Sequence, residues 1–216
     1  MAARSRLFGT SDRSHSLAAG AHWRQTTSRR STVTRVLVVY GTGEGHTAHV
    51  AQALAARLRD RGASTYIADL EEESPDVSGF DGVAVGGSVH AGKFQSEVRE
   101  YVKEHADWLN GSPAWFFGVS LSQAGKRAPI DPENAKKQID GLFEETGWTP
   151  RGVLSVGGAL KYREYNFFKR SLMKHVAANA GEDTDTTRDW DYTNWQQVVA
   201  FADQIWEAVA PVAAGH

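Results

Sequence analysis

Apolar and polar positions alternate in a regular way from Arg35 onward. "RVLVVY" (35–40) is a continuous apolar run of strand length, and Val50, Leu54 and Leu58, with Ala51 and Ala55 between them, then recur at helical spacing. The spacing predicts a helix from about Thr47 to Arg61, closed by Gly62. "STYIADL" predicts a second strand and "FDGVAVGGS" a third. Phe94, Val98, Tyr101, Val102 and Leu109 predict one further helix ending at Asn110-Gly111. "AWFFGVSL" reads as a fourth strand, Ala135, Ile139, Leu142 and Phe143 as a helix, and "GVLSVGGAL" as a fifth strand. "YNFFKRSLMKHVAANAG" is helical in pattern. "TNWQ" supplies a capping box, Thr193 to Gln196, for a last helix on Trp195, Val198, Val199, Ala202, Ile205 and Val209.

Five short apolar strands alternating with helices mean βαβ units, hence a parallel sheet covered on both faces. Ligands of such sheets sit beyond the carboxyl ends of the strands. Three strands end in loops that suit this role: Gly41–Thr47, Gly86–Lys93 and Ser120–Lys126.

Composition narrows the chemistry. The 216 residues contain no cysteine, which excludes thiolate catalysis, disulfides and cysteine-ligated metal centres. No apolar run approaches the ~20 residues of a membrane span. Residues 1–32 hold six arginines and one acid, so residues 33–216 carry a net charge of −7, which argues against non-specific nucleic-acid binding. The Arg- and Ser-rich leader 1–32 reads as a transit-type segment, a disordered tail or the product of an upstream start codon, and is set apart from a single domain at 33–216. "GEDTDTTRDWDY" has the acids of a calcium loop but not its spacing, so no metal is assigned. Trp115, Trp195 and Trp206 are read as core.

Which phosphate the first loop would hold is open to three readings. A nucleoside triphosphate loop requires a lysine that is absent between Tyr40 and Thr47. A dinucleotide fingerprint is formally present in Gly43-Glu44-Gly45-His46-Thr47-Ala48, with Asp69 for a ribose. The third reading is a phosphate monoester held by backbone amides and by Thr42 and Thr47, at a helix N-terminus carrying about half a positive charge. A hydroxyl at each end of one glycine turn favours the last, against a plain helix cap at Thr47.

The loop, the strand pattern and the length resemble flavodoxin-type FMN proteins. "GGALKYREYNFF", "KRAPIDPENAKK" and "GEDTDTTRDWDYTNWQQVVAFA" resemble the menaquinone-dependent protoporphyrinogen IX dehydrogenases of haem synthesis, over about residues 34–209. That pattern begins almost at Thr34, which favours an alternative start for the leader.

The resemblance implies a flavodoxin-like three-layer α/β sandwich with strand order 2-1-3-4-5 and non-covalent FMN. Thr42, Gly43, Glu44, Gly45, His46 and Thr47 then correspond to the phosphate loop. Ser88, Val89, His90, Ala91 and Gly92 correspond to the loop beside the flavin ring, and Ser120 and Leu121 open the loop on its other side. Ala91 stands where a flavin-stacking aromatic is common, and His90 where the dehydrogenases tend to carry a longer basic residue. His90 is the candidate for a proton or charge beside the ring.

The resemblance also implies porphyrinogen and a quinone as partners, in the cytoplasm or at the inner face of its membrane. Alternatives are a shuttle between redox proteins and an NAD(P)H-dependent quinone reductase. On a helical wheel Arg163, Phe167, Arg170 and Lys174 lie opposite the apolar face Tyr165, Phe168, Leu172 and Val176. Their basic-aromatic face suits a membrane surface, porphyrin propionates or plain solvent.

Overall fold

A computed structural model describes residues 33–124, 131–160, 174, 178 and 185–211. Its elements are β1 (Arg35–Tyr40), α1 (His46–Asp60), β2 (Ser64–Asp69), β3 (Gly82–His90), β4 (Lys93–Phe94), α2 (Ser96–Glu104), α3 (Ala106–Gly111), β5 (Ala114–Ser120), α4 (Pro132–Thr146), β6 (Gly152–Gly157), β7 (Ala159–Leu160), β8 (Trp190–Asp191) and α5 (Trp195–Val209).

The five parallel strands stand in the order β2-β1-β3-β5-β6, which is the expected 2-1-3-4-5 when parallel strands alone are counted. β4, which had no strand signal in the sequence, adds antiparallel to β3. The run 152–160, expected as one strand, is split: β6 ends at Gly157, and β7 pairs with the unpredicted β8 as a separate ribbon.

Strand alternation sorts the core into two layers. Val36 and Val38 face α1 and α5, where they meet Leu54, Leu58, Phe201 and Ile205. Leu37 and Val39 face the other side, with Val98, Tyr101, Phe116, Ile139 and Trp148. Residues 36–39 are fully buried because β1 is central and covered on both faces. The edge strands are less covered: Tyr66 on β2 and Val153 on β6 stand in solvent.

Helix ends follow local chemistry. Asp131 caps α4 by accepting the Asn134 N–H at 3.0 Å, Pro132 occupies the first turn, and Gly147 closes the helix at φ 69°.

Three expectations are corrected. The single helix from Phe94 to Leu109 is broken into α2 and α3 at His105, and Phe94 belongs to β4, its ring buried against Phe116. The cap of α5 is Asn194, whose Oδ1 accepts from the N–H groups of Gln196 (3.1 Å) and Gln197 (3.3 Å); Thr193 makes no capping box because its hydroxyl is engaged elsewhere. Trp195 and Val199 are exposed rather than core, while Trp115 is buried.

Candidate functional site

β1 delivers the chain to the carboxyl edge of the sheet, where the Gly41 N–H donates to the Gly86 carbonyl of β3 at 3.0 Å. The next four residues form a closed turn. The Gly45 N–H donates to Thr42 Oγ1 at 2.9 Å, and Gly45 adopts φ 77°, a left-handed conformation that glycine reaches without steric cost. Helix α1 therefore starts at His46 rather than Thr47, with Gly45 as its cap residue.

No side chain caps α1 and no acid lies in its first turn, so its leading N–H groups are left for another acceptor. Thr47 lies inside that turn, fully buried, and its Oγ1 has no hydrogen-bond partner among the described residues. A buried hydroxyl without a partner is costly. The plain-cap reading of Thr47 fails on this atom. A phosphate at the helix N-terminus would accept from Thr47 and from the free amides together, so the residues present fit FMN.

The opposite wall is the β3–β4 hairpin. His90 pairs with Lys93 across a two-residue turn, Ala91-Gly92, in which both residues have positive φ (50° and 84°), as a type I′ turn requires. Gln95 pins the base of this hairpin. Its Oε1 accepts the Ser88 N–H at 3.0 Å and its Nε2 donates to Ser88 Oγ at 2.5 Å. Ser88 Oγ in turn accepts from the Gly43 N–H at 3.4 Å, which ties the two loops together.

A cleft of about 580 Å³ lies here, lined in part by Thr42, Gly43, Glu44, His90 and Gln95. Ser88 and Val89 are half-buried, and His90, Ala91 and Gly92 are exposed. At the end of β1, burial and then the Asp69 carboxylate push the Tyr40 hydroxyl above its ordinary pKa, so it stays protonated.

β5 ends in Ser120, which is buried with an Oγ that also lacks a partner. Leu121 begins a short 3₁₀ turn, Leu121–Gln123. The structure thus gathers the loops of β1 and β3, linked through Ser88, and ends β5 in a second orphaned hydroxyl along the same sheet edge.

Sequence reasoning missed two contributors from the far end of the chain. His46, almost fully buried, meets Thr193 Oγ1 through Nε2 at 2.6 Å, and Asp191 Oδ1 lies 3.6 Å away. The Thr193 hydroxyl donates its proton to the Gly157 carbonyl at 3.0 Å. At His46 it is therefore the acceptor, and Nε2 carries hydrogen. Asp191 also accepts the Trp195 indole N–H (3.1 Å) and the Thr193 N–H (2.8 Å). His49 is exposed.

Arg163, Phe167 and Arg170 of the expected basic-aromatic face lie outside the described residues; Lys174 is helical and exposed. No helix among the described residues is long and apolar enough to cross a membrane.

The family described as "Flavodoxin domain" matches residues 37–187. The chain belongs to the flavodoxin family. FMN is the cofactor of this flavodoxin-family protein, and its chemistry is that of an FMN oxidoreductase.

Among its relatives, the protoporphyrinogen IX dehydrogenase (quinone) of Escherichia coli (strain K12) is 32% identical over 174 residues, 79% of this chain and 94% of that protein. A protein of the same name from Leishmania major is 30% identical over 183 residues, 83% of this chain and 77% of that one. The fold is shared with solved flavodoxins. Oxidised flavodoxin 2 from Bacillus cereus superposes with a TM-score of 0.50 at 14% identity, over 81% of this chain and 99% of that one. A short-chain flavodoxin associated with a bacterial microcompartment gives a TM-score of 0.51 at 15% identity, over 83% and 100%.

Proposed function

We propose that this protein oxidises protoporphyrinogen IX to protoporphyrin IX and passes the electrons to a quinone. The observation that carries the substrate is the 32% identity extending over 94% of the Escherichia coli protein of that name. The overall change removes six electrons and six protons from the porphyrinogen, which reduces three quinones to quinols. Bound FMN supplies the capacity to take electrons two at a time and hand them on.

The chain's own part is to bind and orient. The first-turn amides of α1, the Thr47 hydroxyl and the turn Thr42–Gly45 hold the phosphate. His46, with its Nε2 hydrogen held by Thr193, adds a polar wall to a loop that has no lysine or arginine. The hairpin Ser88–Gly92, braced by Gln95, sets one side of the ring, and Ser120 with Leu121 sets the other. His90, exposed at the mouth of the cleft, is the candidate for a proton or charge beside the ring. Arg163, Phe167, Arg170 and Lys174 are the proposed contact with an anionic membrane surface that supplies the quinone.

Anaerobic stopped flow tests the reading. Protoporphyrinogen IX should bleach the flavin absorbance, and a menaquinone analogue should restore it. A second reading draws on the acids of the cleft, Glu44, Glu71 and Glu97, which suit docking of a basic redox protein. No bleaching by the porphyrinogen, with fast electron exchange to a protein partner, would select that shuttle. Steady turnover with NAD(P)H would select a quinone reductase instead.

A further inference from the structure

A second cavity, of about 360 Å³, opens between the β3–β4 hairpin, α2 and α4. One wall is a single face of α4: Asn134, Lys137, Gln138, Gly141 and Glu145 follow one another at helical spacing. This face adjoins the buried one, Ala135, Ile139 and Leu142, and Leu142 also contributes to the cavity lining. Across from it stand Gly92, Lys93 and Arg99.

The charges here are not balanced from within. Glu145, the one acid of the lining, accepts from Arg99 Nη1 (2.9 Å) and from Lys103 (2.7 Å). Arg99 Nε is engaged with the Phe94 carbonyl at 3.2 Å. The side chains of Lys93 and Lys137 have no ion pair or hydrogen bond among the described residues. The lining therefore holds three cations against one acid, in a domain whose net charge is −7.

Two further features point to an occupant. Gln138 buries its Oε1 with no donor to meet it among the described residues. At Gly141 an added Cβ would meet nothing within 4 Å, so the wall stays open where a side chain would fill it. Lone lysines on an open surface need no explanation. Here they flank a concavity that also lacks a donor for a buried acceptor.

We propose that this cavity, between Lys93, Arg99, Lys137 and Gln138, binds a ligand that carries both carboxylates and N–H donors. This rests on the proposed function, under which the ligand is the porphyrinogen, whose propionates meet the lysines and whose pyrrole N–H groups can serve Gln138. The volume suits the carboxylate-bearing edge rather than a whole macrocycle. The hairpin turn is the common boundary of the two sites: His90 lines the cleft, while Gly92 and Lys93 line the cavity. A ligand anchored by its carboxylates is thereby held against the loop that flanks the flavin.

The test is a fluorescence titration of the FMN-loaded protein with protoporphyrin IX, which is stable in air, and with its dimethyl ester. The free acid should bind about tenfold more tightly than the ester, and Lys93→Gln with Lys137→Gln should remove about that tenfold for the acid alone. Gly141→Leu should weaken both by filling the space. An unchanged flavin spectrum and FMN affinity show that the variants are folded. Equal binding of acid and ester, or of acid to wild type and double variant, overturns the cavity.

Failure of the two readings looks different. Porphyrinogen oxidation that is indifferent to both lysines keeps the function and rejects the cavity. If wild type binds no porphyrin, bilirubin, an open tetrapyrrole with two propionates and N–H groups, decides. Lysine-dependent binding of bilirubin keeps the cavity and rejects the substrate, and no binding of either probe rejects the cavity.

Discussion

The two loops proposed to grip FMN are built in opposite ways. The phosphate loop is enclosed at its helix end, where Thr47 is wholly buried and His46 nearly so, while Gly43 and Glu44 stand in solvent; the turn is tied to β3 and to Thr193. The hairpin at the ring stands in solvent from His90 to Gly92 and is braced at its base alone, by Gln95. Polar atoms explain the difference. An anion must be met by donors that are aligned in advance and kept from water, so the phosphate loop carries a buried, unpartnered hydroxyl in the protein alone. A ring edge that must admit substrate needs an open wall, and a strained two-residue turn is enough to shape it.

The largest expected contrast comes from Thr47→Val, which keeps the shape and removes the orphaned hydroxyl. FMN affinity should fall by up to ~100-fold, ~1–3 kcal/mol for a charge-assisted contact, while riboflavin, which lacks the phosphate, should bind as before. The apoprotein should melt at the same temperature or higher, because a buried polar atom without a partner is gone. Equal losses for FMN and riboflavin in flavin fluorescence titrations would refute a phosphate-specific role.

A smaller effect is expected from Thr193→Val. The His46 Nε2–H loses this acceptor and the wall behind the loop loosens, which should weaken FMN by ~2–10-fold, the worth of one hydrogen bond. The same titration checks it, again with riboflavin as the control.

At the ring end, Ala91→Gly sharpens the comparison from the other side. Ala91 holds φ 50°, where a Cβ is disfavoured, so glycine should stabilise the fold by roughly 0.5–1 kcal/mol, read as a rise in melting temperature. Affinity for FMN and riboflavin should change little and alike.

The smallest effect concerns the clamp that holds α1 against α5. Hydrogen bonds from Arg57 at 2.9 Å, then the charges of Arg57 and Arg61, hold the Asp203 carboxyl below its ordinary pKa. A depressed carboxyl stabilises the fold above the unfolded value of about 3.9 and loses that contribution as pH falls through its folded value. Asp203→Asn should therefore lower the melting temperature slightly at neutral pH, with the gap to wild type closing in acid. A gap that persists at low pH would mean lost packing rather than lost charge.

The enclosed loop was the more legible of the two. Its residues are contiguous, so strand, glycines, hydroxyls and helix start could be read in one line; the parallel sheet followed from the buried apolar runs, and its strand order from the family resemblance. The hairpin was not legible, because Phe94 sits at a spacing that also suits a helix, and β4 is two residues long. Gln95 carries no pattern at all. Thr193 was misread for a related reason: a Thr three residues before a Gln signals a cap, but its hydroxyl serves Gly157 and His46, contacts set by the folded chain and invisible to local spacing.

His46 and Thr193 are separated by 147 positions, and that distance has a consequence for biosynthesis. On the ribosome the phosphate loop emerges early, while the residues that back it, Asp191 and Thr193, and the helix α5 that packs on α1 are made near the end. A nascent chain thus displays the glycine turn long before the turn has its wall. Flavin capture should wait until α5 has been made and can pack on α1, so that cofactor loading follows synthesis of the whole flavin domain. Ribosome-bound chains arrested before Trp190 should retain no FMN, and release of full-length chains should restore uptake.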